Sequence, residues 1–155
     1  MSMESQLNLR KAKLEEAPRL TEIAFNSKKY WQYSKELMSL WEDDLTITSD
    51  FISTNFVQCA VIESTIIGFY ALSKSDSYFE LEHLWLSPCH IGKGYGSELF
   101  KDAISQVSNR GGNVLKVCSD PNAEEFYLKK GAKKIGKVSS KPAGRTLPLL
   151  ELKIK

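Results

Sequence analysis

Residues 79–107 constrain this chain more than any other stretch. FELEHLWLSPCHIGKGYGSELFKDAISQV places a strand, a glycine turn and a helix in immediate succession. Phe79 to Leu86 is apolar and aromatic over a strand-like length, and Ser87-Pro88 ends it. Gly92, Gly94 and Gly96 follow at every second position. Tyr95, Leu99, Phe100, Ala103, Ile104 and Val107 then recur at three- and four-residue steps, so one stripe of a helix faces a core until Gly111-Gly112 stops it. A helix entered through glycines offers unpaired backbone N–H groups and the positive end of its dipole to the space before it. Phosphate oxygens fit that space best, which makes the stretch a phosphate-binding turn.

The familiar glycine loops do not describe it. A P-loop needs a Lys-Ser/Thr pair after its last glycine, whereas Gly96 is followed by Ser97-Glu98. A dinucleotide fingerprint needs Gly-x-Gly-x-x-Gly, and the run Gly92-Lys93-Gly94-Tyr95-Gly96-Ser97 has neither Gly nor Ala at the last position.

The remaining sequence narrows the function classes. A chain of 155 residues with 42% hydrophobic content is expected to form one domain, 1–155, with a real core. Its 21 basic and 19 acidic residues leave a formal charge of +2, which gives no general case for nucleic-acid or membrane partners, so any anion site is local. Cys59, Cys89 and Cys118 lie far apart, and the chain opens without an apolar signal segment. A reducing cytoplasm, no export and no structural metal are the expectation. No run approaches the roughly 20 apolar residues of a membrane span.

In chain order, a short polar leader precedes a strand at Leu7 to Arg10. A helix starts at Leu14, with Leu14, Ala17, Leu20, Ile23 and Ala24 at helical spacing and acids and Pro18 in its first turn. A second helix spans Ser34 to Glu42 after the aromatic link Tyr30-Trp31-Gln32-Tyr33, and a short helical piece ends at Thr54. Phe56 to Ile62 and Ile66 to Leu72 read as a hairpin, ahead of the central strand, turn and helix. Asn113 to Cys118 is a further strand. The helix after it is capped by Asp120, has Pro121 at its first position and Glu124 and Glu125 in its first turns, and closes at Gly131. Lys133 to Val138 and Leu147 to Ile154 are two closing strands, giving the order β-α-α-β-β-β-α-β-α-β-β.

That order, with two motifs, resembles the GNAT superfamily of acyl-CoA-dependent N-acetyltransferases over nearly the whole chain. The first motif is Leu84-Trp85-Leu86, five residues, then Gly92-Lys93-Gly94-Tyr95-Gly96-Ser97. It is similar to the family's acetyl-CoA site, where strand backbone holds the pantetheine arm and turn amides hold the pyrophosphate. The second, Ala123 to Ala132, is similar to the family's "A-x-x-F-Y-x-x-x-G-F" helix, whose tyrosine faces the CoA sulfur. The Gly144-Arg145-Thr146-Leu147-Pro148 segment also looks like family endings. The resemblance implies an α/β (α+β) fold with a mixed, mostly antiparallel sheet flanked by helices. It also implies that acetyl-CoA binds Leu84, Trp85, Leu86, Gly92, Lys93, Gly94, Tyr95, Gly96, Ser97, Asp120, Asn122 and Phe126, with no metal. Departures accompany it. Ile91 stands where the family has Gln or Arg, leaving charge to Lys93 or His90. Asp120 replaces an asparagine whose contact Asn122 is expected to take over, and Ala132 replaces a phenylalanine.

The chemistry explains these residue types. An ammonium must lose a proton before it attacks a thioester. The tetrahedral intermediate carries negative charge that a backbone N–H near Leu84 to Leu86 can stabilise. The departing thiolate needs a proton, which Tyr127 is expected to give, a phenol having a pKa near that of a thiol. The base is left open among Glu80, Glu82 and His83. Regular alternation would put Phe79, Leu81, His83 and Trp85 on one face and Glu80, Glu82, Leu84 and Leu86 on the other, unless a bulge intervenes.

Tyr30, Trp31, Tyr33 and Trp41 fall where such folds wall the acceptor pocket. The acceptor is left as a small-molecule or peptide amine, and a homodimer is left open. Two other readings stand beside acetyl transfer: a non-catalytic acyl-CoA-binding module, and a regulatory domain that binds a nucleotide at the glycine turn.

Overall fold

A computed structural model of the protein describes residues 6–154. Residues 1–5 and 155, and with them most of the expected polar leader, lie outside it. Seven strands, β1 (Asn8–Lys11), β2 (Phe56–Ile62), β3 (Thr65–Lys74), β4 (Phe79–Leu86), β5 (Val114–Cys118), β6 (Lys133–Ser139) and β7 (Thr146–Lys153), form one sheet in the order β1-β2-β3-β4-β5-β7-β6. Every neighbouring pair is antiparallel except β4 and β5. Those two are parallel because a long helix connects them across one face.

Among the described residues six α-helices cover the sheet: α1 (Ala17–Lys29), α2 (Lys35–Leu40), α3 (Glu42–Leu45), α4 (Ser49–Thr54), α5 (Tyr95–Asn109) and α6 (Glu124–Lys129). The second helix expected from the sequence divides at Trp41, and Thr48 caps α4 by accepting from the Phe51 N–H at 3.0 Å. One face of the sheet packs on α1 to α4 through Leu20, Ile23, Met38, Trp41, Phe69 and Ala71. The other packs on α5 and α6 through Leu81, Leu99, Phe100, Leu115 and Tyr127. Truncating any of the larger of these buried side chains to alanine costs about 2–5 kcal/mol. At the end of α5, Gly111 takes a left-handed φ of 82° and the Gly112 N–H donates to Val107 O at 2.8 Å, closing the helix as the paired glycines predict.

Two irregularities of β4 position the site. In the β3–β4 ladder Leu72 pairs with Leu81 but Ala71 pairs with His83, so Glu82 is an extra residue, a β-bulge. The bulge overturns the face assignment that regular alternation gives. Leu84 and Leu86 join Phe79 and Leu81 against α5, while His83 and Trp85 turn to the α1 face, where they meet Phe51 and Phe69. Glu80 shares that α1 face by alternation from Phe79 and Leu81. The second irregularity is a gap. β4 and β5 pair only at Phe79 with Leu115 and Glu80 with Lys116, and beyond those residues they diverge.

Candidate active site

The gap exposes strand backbone. Ser87 N–H donates to Ile67 O at 2.8 Å, so strand alternation turns Trp85 toward β3 and turns the N–H and C=O of Leu84 and Leu86 into the gap. Above them lies a cavity of about 490 Å³ walled by β4, the glycine turn, the start of α5, α6 and the end of α1. At one end the backbone N–H groups of Gly94, Tyr95, Gly96 and Ser97 make no hydrogen bond among the described residues. Gly94 caps the helix with a left-handed φ of 88°, a conformation glycine reaches without strain. These aligned amides at the positive end of a 15-residue helix fit a pyrophosphate, and the strand edge beside them fits an amide-bearing arm such as pantetheine.

Tyr127 and Phe126 line the same cavity. Tyr127 is 5% exposed, packed edge-on against Phe100 and Phe126 with centroids at 5.3 and 5.1 Å. Burial, then the charge of Asp120, pushes its phenol above the ordinary tyrosine value, so it keeps its proton at neutral pH. Leu84, Trp85, Leu86, Gly92, Gly94, Gly96, Ser97, Asp120 and Asn122 also line the cavity. Neither Lys93 nor Tyr95 is among its lining residues. Lys93 is exposed, and Tyr95 lies near His90 at 5.9 Å. His90 shares a 2.7 Å hydrogen bond with Ser87, and burial followed by the Lys93 charge lowers its pKa, which makes it a brace of the turn. Ile91 gives the cavity an apolar wall.

A second cavity of about 210 Å³ opens on the α1 face, lined by Lys28, Asp44, Glu82, His83, Arg145 and neighbouring residues. The two cavities share Trp85 and Asp120. His83 is partly buried, and desolvation pushes its pKa down to about 4 against a small opposing effect of Asp44. Glu80 is raised above the usual carboxylate value, first by burial and then by the charge of Glu82. Glu80 itself lines neither cavity. Glu82 accepts a hydrogen bond from the Ser73 hydroxyl.

Between the cavities sits a network that the sequence did not reveal. Lys28 from α1 forms an ion pair with Asp120, which also accepts from Tyr33 Oη at 3.1 Å and from the Asn122 amide at 2.8 Å. Burial raises the Asp120 carboxyl, but the Lys28 contact and charge, the Asn122 amide and Tyr33 outweigh it and hold it below its usual range. The only hint was position. Lys28 falls four residues after Ala24 on the apolar stripe of α1, where a cation needs a partner.

A family model for the acetyltransferase (GNAT) domain matches residues 33–146. The chain belongs to the GNAT acetyltransferase family. Its GNAT fold is shared with the PaiA N-acetyltransferase from Thermoplasma acidophilum, solved in complex with coenzyme A: TM-score 0.79 and 23% identity over 96% of this chain and 99% of that one. A GCN5-related N-acetyltransferase structure from Rhodopseudomonas palustris gives a TM-score of 0.82 at 22% identity, covering 99% of each chain. The seven-stranded, mostly antiparallel sheet flanked by helices is thus that of the GNAT fold. Among the described residues no group of His, Cys, Asp and Glu is arranged to hold a metal ion, and no helix is long and apolar enough to cross a membrane.

Proposed function

We propose that this GNAT protein is an N-acetyltransferase that takes its acetyl group from acetyl-CoA and gives it to a primary amine. The observation that carries the reading is the row of four unpaired amides, Gly94 to Ser97, at one end of a cavity whose wall includes Tyr127 and which touches a second, polar cavity at Trp85 and Asp120. Acetyl-CoA supplies an activated thioester. The Gly94 to Ser97 amides seat its pyrophosphate, and the Leu84 and Leu86 backbone holds its pantetheine arm in the gap.

The amine enters from the smaller cavity. Glu82, with Glu80 behind it on the same face, takes the ammonium proton directly or through a water, and the free amine attacks. An N–H of Leu84 or Leu86 stabilises the charge that develops on the carbonyl oxygen. As the C–N bond forms and the C–S bond breaks, the Tyr127 hydroxyl gives its proton to the thiolate. Glu82 is favoured over His83 as base because His83 Nδ1 already accepts from Trp85 Nε1 at 2.9 Å. The test is a panel of amines incubated with acetyl-CoA while free thiol is recorded. Turnover on any amine supports the proposal, and CoA affinity without turnover on the whole panel would make the chain a binding module.

A further inference from the structure

The smaller cavity is lined by five charged side chains, and three of them are matched within the protein. Lys28 pairs with Asp120, and Asp44 lies 3.7 Å from Lys141. Glu82 and Arg145 have no partner of opposite charge among the described residues. Arg145 is nevertheless held in place. Its guanidinium lies 4.5 Å from the Trp41 ring and 5.7 Å from the Tyr33 ring, its Nη1 donates to Ser140 Oγ at 3.1 Å, and its Nη2 donates to Tyr33 Oη at 3.5 Å. Trp41 is fixed in turn by donating from Nε1 to Lys141 O at 2.9 Å. A guanidinium has five N–H donors, so three are left without a protein acceptor in a partly buried, aromatic setting. That is the fork a planar carboxylate fits, oriented before the ligand arrives.

We propose that the acceptor is a small zwitterion of amino-acid size, with its carboxylate on Arg145 and its ammonium at Glu82. The inference rests on the acetyl-transfer reading of the same site and names its substrate class. Size agrees, since the cavity of about 210 Å³ is smaller than the pockets of roughly 300 Å³ and upward that take drug-sized ligands. Charge selects as well. A diamine would bring a second cation against Arg145 and Lys28, and like charges brought together in a small cavity count against that partner.

The experiment compares the standard amino acids with their carboxamides, which keep the amine and lose the carboxylate, using the full chain and saturating acetyl-CoA. The wild-type protein should favour at least one free acid over its amide by about tenfold or more in kcat/KM. Arg145→Gln should cost that acid about tenfold more than it costs the amide, a double ratio that cancels the difference in amine basicity, and Arg145→Lys should restore part of the loss. Calorimetric binding of the same acid to the CoA-loaded protein should weaken in parallel. If Arg145→Gln fails to fold, the wild-type acid-to-amide ratio decides alone. Equal turnover of acids and amides, or a preference for diamines or peptide amino termini, overturns the zwitterion and leaves the N-acetyltransferase standing. Carboxylate-dependent binding without turnover would do the reverse. Neither binding nor turnover of any amine overturns both.

Discussion

The Trp85 indole donates its N–H to His83 Nδ1 at 2.9 Å. A neutral imidazole whose Nδ1 lone pair is taken carries its proton on Nε2, so His83 lines the smaller cavity as a hydrogen-bond donor with no free lone pair.

The first prediction concerns acid. The His83 pKa of about 4 in the folded protein lies below its ordinary value of 6.5. As pH falls below 6.5 the unfolded chain takes up a proton that the folded one refuses, so stability drops until about pH 4 and then no further on this account. The contribution is at most about 3 kcal/mol. His83→Gln keeps an acceptor for Trp85 and should flatten that part of the stability profile in urea melts between pH 7 and 4. An unchanged slope would show that His83 is accessible to protons in the native state.

The second prediction separates the two acids. Glu82→Gln should lower turnover on a good amine by roughly 100-fold at neutral pH and leave CoA binding intact, with the loss shrinking at high pH. Glu80→Gln should cost about tenfold, the smaller loss expected of a residue that lines neither cavity and acts through its neighbour. Full activity in both variants and in the double variant would return the proton acceptor to water or to the substrate itself.

The third prediction tests the phosphate seat. A Cβ at Gly94 meets no protein atom within 4 Å, so packing does not block Gly94→Val, but at φ 88° a β-branched residue is strained and should tilt the amides that follow. CoA affinity, measured by calorimetry, should fall at least about tenfold. Unchanged affinity in the folded variant removes the turn from the binding site.

The sequence carried these sites unevenly. The glycine turn, α5 and α6 were legible because local spacing dictates them, and the turn's open amides follow from its glycines. The β4 bulge was not legible. The extra residue at Glu82 is set by the ladder across from it, where Ala71 pairs with His83 and Leu72 with Leu81, and nothing in Phe79 to Leu86 marks it. For the same reason Lys28, 92 residues from Asp120, could not be matched with it, nor Arg145 with Tyr33 at a separation of 112.

The fourth prediction isolates the Tyr127 proton. Tyr127→Phe preserves the ring contacts with Phe100 and Phe126 and removes the hydroxyl alone. Turnover with acetyl-CoA should fall by roughly 100-fold where thiolate departure limits the rate, and much less with an acyl donor whose thiol leaves easily. Equal losses with both donors would make Tyr127 a positioning residue.

The fifth prediction addresses stability. The side chains of Lys28 and Asp120 are only 9% and 12% exposed, so Asp120→Asn strands a buried ammonium and should cost about 3 kcal/mol. Adding Lys28→Met should recover most of it, and the double-mutant cycle in denaturant gives the coupling directly. Additive losses would mean that the pair is independently hydrated.

The gap after Glu80 has a mechanical side. With two residue pairs joining β4 to β5, the sheet is effectively two leaves, β1 to β4 and β5 to β7, hinged at their shared end and bridged by α5. A ligand arm seated along Leu84 and Leu86 would act as the absent rung between those leaves. The cosubstrate would then couple their opening, so amide protons on β5 and β7 that make no contact with it should exchange more slowly when it is bound.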